Sequence, residues 1–301
     1  MTSISQIPNV TTEKRLPLIA IVGPTASGKT SLAIQLAKKF NGEIICADSM
    51  TVYHGMDIGT AKPTAAEIDG VPHHLLDIVE PNEQFSLYDF QRIAKKAISD
   101  IRVRGHIPFL VGGSGLYIDS ILFDYQLGDT PDGEHRAKLQ EMNNDDLMEL
   151  LKKQHIEVPN NLHNKRHLIR AIEQNGINRI RCDRIVDNTY AVGITTDKSE
   201  LYERSRARAQ QMLANGFVEE VRDLYDKYGY INQFRGNAYG EVVRYLQGDI
   251  DTEEELLERI AAFDKRLIKK QLTWLKRNAE IVWLARDEVE KYLCEKLKQL
   301  T

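Results

Sequence analysis

The sequence predicts an α/β fold, a parallel sheet covered by helices on both faces, and three observations carry that expectation. Short apolar runs alternate with amphipathic helical stretches. The first run ends on the phosphate-binding pattern Gly23-Pro24-Thr25-Ala26-Ser27-Gly28-Lys29-Thr30, and a later run ends on the glycine-rich segment Gly112-Gly113-Ser114-Gly115. Strands that alternate with helices pair in parallel and bury both sheet faces.

Leu16 to Val22 reads as a buried strand feeding the glycine-rich loop. Ser31 to Phe40 follows as a helix with Leu32, Leu36 and Phe40 on one stripe. Glu43 to Ala47 is a second strand, and its C-terminal end delivers Asp48 to the edge where open α/β sheets bind ligands. Ser86 and Asp89 form a capping-box pattern before a helix that Gly105 stops, and Ile107 to Val111 returns as a strand. From about Leu127 to Asn188 the pattern changes to charged helical stretches broken by Pro159, Asn160 and Asn161. The expected division is therefore a core, 1–126 and 189–301, with a small helical insertion domain at 127–188. Tyr190 to Ile194 re-enters as a strand, then helices run over Ser199–Tyr228, Tyr239–Leu246 and Glu253–Lys276, with a last short strand at Ile281–Leu284.

With 301 residues, 42% of them hydrophobic, the chain can bury a full core and a subsidiary unit. Forty basic against forty-four acidic side chains give a formal charge of −4. That balance excludes nucleic-acid binding through a uniformly positive surface and leaves only local patches for it. Cys46, Cys182 and Cys294 are too few and too scattered for a disulfide framework or a zinc site. No apolar run approaches the roughly 18 residues of a membrane span, and residues 1 to about 15 read as a polar tail. A cytoplasmic protein without membrane contact, monomeric, is expected.

The loop itself names a polyphosphate. Gly23 and Gly28 let backbone wrap an anion, the following helix N-terminus adds positive potential, Lys29 neutralises charge, and Thr30 can hold a magnesium ion. The same pattern serves kinases, NTPases and transferases, so the second substrate must be read elsewhere. The run Asp48 to Pro63, compositionally unusual, is the place to look. Asp57, Thr60 and Lys62 in it can meet that substrate, although Asp57 can equally fix a turn.

GPTASGKT, ADSMTVYHGMDIGTAKP, PHHLLDI and VGGSGLY, in this order and at these intervals, resemble the tRNA dimethylallyltransferase (isopentenyltransferase, IPP transferase) family. Further echoes are NKRHLIRAIE from Asn164 and the pair Gln271 and Trp274 in QLTW, so the similarity spans almost the whole chain. The resemblance implies a P-loop NTPase-like fold in which the loop, Gly23 to Thr30, grips the diphosphate of dimethylallyl diphosphate. It implies transfer of the dimethylallyl group to N6 of adenosine 37, in the anticodon stem-loop of tRNA, with magnesium as cofactor. Asp48 matches the family's general base and Arg208 its diphosphate-binding arginine. Ser114 stands where the family commonly has threonine; its hydroxyl can bind substrate, cap the following helix, or do both. The resemblance also places Asp48, Ser49, Met50 and Thr51, together with Arg136, Arg166 and Arg170, against tRNA.

Basic residues gather at Lys165, Arg166, His167, Arg170, Arg179, Arg181 and Arg184, and again at Lys265, Arg266, Lys269, Lys270, Lys276 and Arg277. Each run also reads as a solvated helix face. Thr51, His167, Ala238 and Gly240 depart from the family pattern, which touches the expected choice of tRNA more than the reaction class. Two alternatives remain open on the residues alone. One is a small-molecule kinase in which Lys29 holds ATP; the other is an isopentenyltransferase acting on free adenine nucleotides.

Overall fold

The computed structural model describes residues 16–127, 133–159, 161–175 and 181–298. Six parallel strands lie in the order β3-β2-β4-β1-β5-β6, with β1 Leu18–Val22, β2 Gly42–Ala47, β3 His73–His74, β4 Ile107–Gly112, β5 Thr189–Thr195 and β6 Val282–Ala285. Along β1 the side chains alternate between two cores, as the period of two requires. Leu18, Ala20 and Val22 join the cluster containing Phe90, Ile98 and Ile118, whereas Ile19 and Ile21 join Leu32, Leu36 and Leu293. Helices α1 (Lys29–Lys39) and α12 (Arg286–Lys298) thus cover one face, and α3 (Leu87–Val103) and α4 (Gly115–Leu122) the other. The short α2 (Ala65–Ile68) lies before β3.

The expected capping box is present. Ser86 accepts from the Asp89 amide, and Asp89 accepts the Ser86 amide at 3.0 Å. At the opposite end of the sheet from the strand C-termini, Glu43 is held by Arg104, His74 and His106. Those bonds, led by the Arg104 guanidinium, pull its carboxyl down to about 2. One ionic knot therefore ties β2 to the residues around β3 and β4.

The single helix expected over Ser199–Tyr228 is two: α8 (Lys198–Ala214) and α9 (Phe217–Tyr228). Gly216 separates them at φ 95°, a left-handed conformation that side chains resist. α2, β3 and α12 were not among the expected elements, whereas the helix expected after Ser114 is α4. α8, α9, α10 (Ala238–Leu246) and α11 (Glu253–Leu275) enclose a core with Val52, Tyr53 and Met56, so the run after Asp48 is packed against helices far away in sequence. Between β4 and β5, helices α5 (Gly133–Glu141), α6 (Asn144–Lys153) and α7 (Lys165–Glu173) close around Leu139, Leu147, Leu151, Leu168 and Ile172, a small core of their own. Arg179 lies outside the described residues.

Candidate active site

All strands being parallel, their C-terminal ends bring three separate segments together. The Gly23 amide donates to the Gly112 carbonyl at 3.4 Å, and the Ser114 amide to the Ala47 carbonyl at 3.2 Å. The ends of β1, β2 and β4 are thereby fixed to one another. In the phosphate loop Pro24 accepts from the Ser27 amide at 3.4 Å, Ala26 sits at φ 62°, and Gly28 at φ 77° caps α1 in the left-handed region. Lys29 and Thr30 begin that helix. The Ser27 hydroxyl is buried without a partner.

Asp48 follows β2 directly. Its Oδ1 accepts the Met50 amide at 3.0 Å, and its carbonyl accepts the buried Thr51 hydroxyl at 3.4 Å. Ser114 occupies the N-cap position of α4, yet its side chain does not cap the helix. Instead Ser114 Oγ accepts the Ser49 amide at 3.0 Å, so the hydroxyl locks the Asp48 turn to the end of β4. Of Asp48 to Thr51, Ser49 is the exposed member and Thr51 offers a ligand little surface.

Lys29 joins Asp48 and Arg208 in one electrostatic cluster. Burial pushes the Lys29 ammonium down to about 8, with Asp48 pulling it up and Arg208 pushing it further down. Its Nζ donates to the Pro24 carbonyl at 3.2 Å. The ammonium is complete well below pH 8 and is lost as pH rises through that value, so anion affinity follows it downward. Titration calorimetry with inorganic pyrophosphate is expected to show affinity falling across that range. Lys29→Arg, whose guanidinium stays charged, is expected to abolish this component of the fall. Identical profiles for the two proteins would remove Lys29 from the anion site.

Arg208 extends from α8 to the buried Asp264 of α11, Nη2 to Oδ2 at 2.9 Å, while its Nε is buried with no acceptor. Arg204, four residues earlier, turns outward to Glu200. Two arginines one helical turn apart thus differ: Arg204 joins a solvated pair, and Arg208 is drawn to a buried carboxylate. α11 also sends Gln271 to the loop, where Oε1 accepts the Thr25 amide at 2.9 Å. Trp274 Nε1 donates to Asp119 Oδ2 at 2.7 Å. A Cβ on Gly113 would lie 2.5 Å from Gln271 Nε2 and 3.0 Å from the Gly23 carbonyl, so a side chain there would press on Gln271 and the loop. Asp264, Glu220 and Asp119 are the residues that sequence reasoning missed.

Other expected contacts have internal partners. Lys62 is bonded to Asp57, Asp77 and the Tyr53 carbonyl, and Glu220 accepts the amides of Asp57, Ile58 and Gly59. The turn-fixing alternative for Asp57 is the one its contacts match. Arg136 and Arg170 both reach Glu173, whose side chain is 1% exposed; the Arg136 contact braces α5 against α7, and the Arg170 contact lies within α7. The Arg166 residue is exposed. In the second basic run Arg277 stacks over Trp274 at 3.9 Å, and Lys276 lies 5.4 Å from the Trp283 ring.

For a magnesium ion the chain offers hard oxygen donors at the loop, the Thr30 hydroxyl foremost. No cluster of three or more His, Cys, Asp or Glu suited to a metal exists among the described residues. One protein oxygen with the remainder from substrate phosphates and water is how magnesium is commonly held, so the residues present fit it.

The IPP transferase family description matches residues 51–278, and that of isopentenyl transferase matches residues 16–80. The chain belongs to the IPP transferase family. A tRNA dimethylallyltransferase of Geobacillus thermodenitrificans is 40% identical over 295 residues, covering 91% of this chain and 92% of that protein. Its counterpart in Streptococcus mutans is 40% identical over 269 residues, with 88% and 90% covered. Among solved structures, the tRNA isopentenylpyrophosphate transferase of Bacillus halodurans superposes with TM-score 0.72 at 37% identity, covering 94% of this chain and 97% of that one. The IPP transferase chain thus shares fold and extent with these relatives, and the small-molecule kinase is not favoured. Among the described residues no helix is long and apolar enough to cross a membrane.

Proposed function

We propose that this IPP transferase moves the dimethylallyl group of dimethylallyl diphosphate to N6 of adenosine 37 in the anticodon stem-loop of tRNA. The observation that carries this reading is that the phosphate loop with Lys29 and the Asp48 turn are fixed together at the C-terminal ends of β1, β2 and β4, with Asp48 and Arg208 both bearing on the Lys29 charge. A base and two cations in one place suit an alkyl transfer that releases diphosphate.

The N6 lone pair is delocalised into the adenine ring, so the amine is a weak nucleophile until its proton is removed. Asp48 takes that proton as the N6–carbon bond forms and the allylic carbon–oxygen bond breaks. The leaving diphosphate carries away the electron pair, and Lys29, the loop amides and Arg208 stabilise its charge. A magnesium ion held at Thr30 would supply further charge neutralisation to the same oxygens. Ser114 keeps the Asp48 turn in place through the Ser49 amide.

Helices α5 to α7 form the RNA-facing insertion in this reading, with the base to be modified drawn out of its stack toward Asp48. Arg166 is the exposed candidate there for a phosphate, while Arg136 and Arg170 shape the surface through Glu173. Arg166→Ala is expected to weaken tRNA binding and to reduce the salt-dependence slope by about one unit. Arg170→Ala is expected to lower the melting temperature as well, because it removes a partner of a buried carboxylate. Filter binding over a salt series, beside thermal denaturation, separates the two effects.

The reading is tested by supplying labelled dimethylallyl diphosphate or labelled ATP, with magnesium, and unmodified tRNA or free AMP as acceptor. Label on tRNA from the allyl donor is expected. Label moving only from ATP would overturn the proposal in favour of a kinase, and label on AMP but not tRNA would move it to a nucleotide prenyltransferase.

A further inference from the structure

Asp264 and Gln271 lie seven residues apart on α11, two helical turns, and therefore share a face. Both are buried, at 4% and 9% exposure, among neighbours that are otherwise largely apolar. Polar groups in such a place cost free energy unless they are bonded, and each is bonded to a different half of the site. Asp264 Oδ2 accepts from Ser205 Oγ at 2.7 Å and from Arg208 Nη2 at 2.9 Å, gathering two residues one turn apart on α8. Gln271 Oε1 accepts the Thr25 amide at 2.9 Å and so shapes the phosphate loop from behind.

We propose that α11 is the spacer of the diphosphate site, with Asp264 and Gln271 as positioning residues that hold Arg208 and the phosphate loop at the separation a diphosphate spans. This rests on the reading of Arg208 as a diphosphate ligand. Three observations support it. Arg208 Nε is buried without an acceptor, a donor held ready while the Nη2 corner is committed to Asp264. The Thr25 amide is occupied by Gln271, an internal partner that fixes the loop backbone to α11. The Trp274 to Asp119 bond, three residues beyond Gln271, fastens the same helix to α4 and opposes sliding along its axis. Pre-set geometry of this kind removes an ordering cost from binding.

The test is calorimetry of the full chain with inorganic pyrophosphate and magnesium, together with steady-state transfer kinetics. Asp264→Asn keeps shape and removes the charge that aims Arg208. It is expected to weaken pyrophosphate about tenfold and to lower kcat, leaving KM for tRNA unchanged. In an Arg208→Met background the same substitution is expected to change pyrophosphate affinity less than about twofold, since its effect passes through the arginine. Equal losses in both backgrounds would overturn the proposal and make Asp264 a packing residue. Gln271→Met, matched in length and lacking the acceptor, is expected to weaken pyrophosphate at an unchanged melting temperature; wild-type affinity would overturn the loop half of the proposal. Should Asp264→Asn fail to fold, Asp264→Glu retains the charge and displaces it by one methylene, and wild-type affinity in that variant also overturns the proposal. Pyrophosphate binding needs neither allyl donor nor RNA. A protein that shows the coupling yet transfers no prenyl group would sink the functional reading and leave the spacer standing.

Discussion

Asp48→Asn is expected to lower kcat for dimethylallyl transfer on the order of 10²–10⁴-fold while leaving pyrophosphate affinity near that of the native chain. Asparagine is nearly isosteric, and its Oδ1 can still accept the Met50 amide at the 3.0 Å position, so the turn after β2 survives. What is lost is the ability to accept a proton from N6. Single-turnover transfer measured with labelled allyl donor, beside calorimetry with pyrophosphate, separates chemistry from binding. Turnover close to native would remove the base role from Asp48 and reduce it to a turn-former.

Arg208→Ala is expected to be nearly as damaging, on the order of 10²–10³-fold in kcat, because a cation facing developing charge on the leaving group acts in the transition state. Unlike the Asp48 variant it is expected to weaken pyrophosphate too. It also strips Asp264 of one of its two partners, leaving Ser205 Oγ alone at 2.7 Å. Lower thermal stability should therefore accompany the catalytic loss. Arg208→Lys is expected to recover part of the affinity without the Asp264 bond geometry, since a point charge cannot present the fork of a guanidinium. Full affinity in Arg208→Ala would exclude the residue from the anion site.

The strands and the phosphate loop were legible because β1, β2 and β4 are short apolar runs that end where glycine or a lone acid begins. Local chemistry wrote those signals. The break at Gly216 was obscured because the stretches on either side of it each continue a helical period, and a single Asn215-Gly216 pair is weak punctuation against thirty residues of pattern. Long-range pairing was invisible altogether. The family resemblance sets Arg136 and Arg170 against tRNA, and only the fold reveals that the Glu173 side chain is buried between them, 37 residues from one and three from the other. Asp264 and Gln271 sit among lysines and glutamates, where a polar residue pointing inward has the same letters as one pointing outward. The role of α11 was for that reason not readable, although Gln271 and Trp274 matched the family pattern.

Glu220 gathers the amides of Asp57, Ile58 and Gly59 at 2.9, 2.6 and 3.1 Å and takes the Tyr239 hydroxyl at 2.7 Å. A single carboxylate on α9 therefore acts as a peg from which the far half of the Asp48 to Pro63 run hangs, as Ser114 does for the near half. Because both fixings come from outside the run, and Val52, Tyr53 and Met56 anchor it in the core, the exposed residues between them can vary without unthreading it. Exposed positions such as Ser49 and His54 are accordingly the places where a change of RNA preference can be made while Asp48 keeps its address.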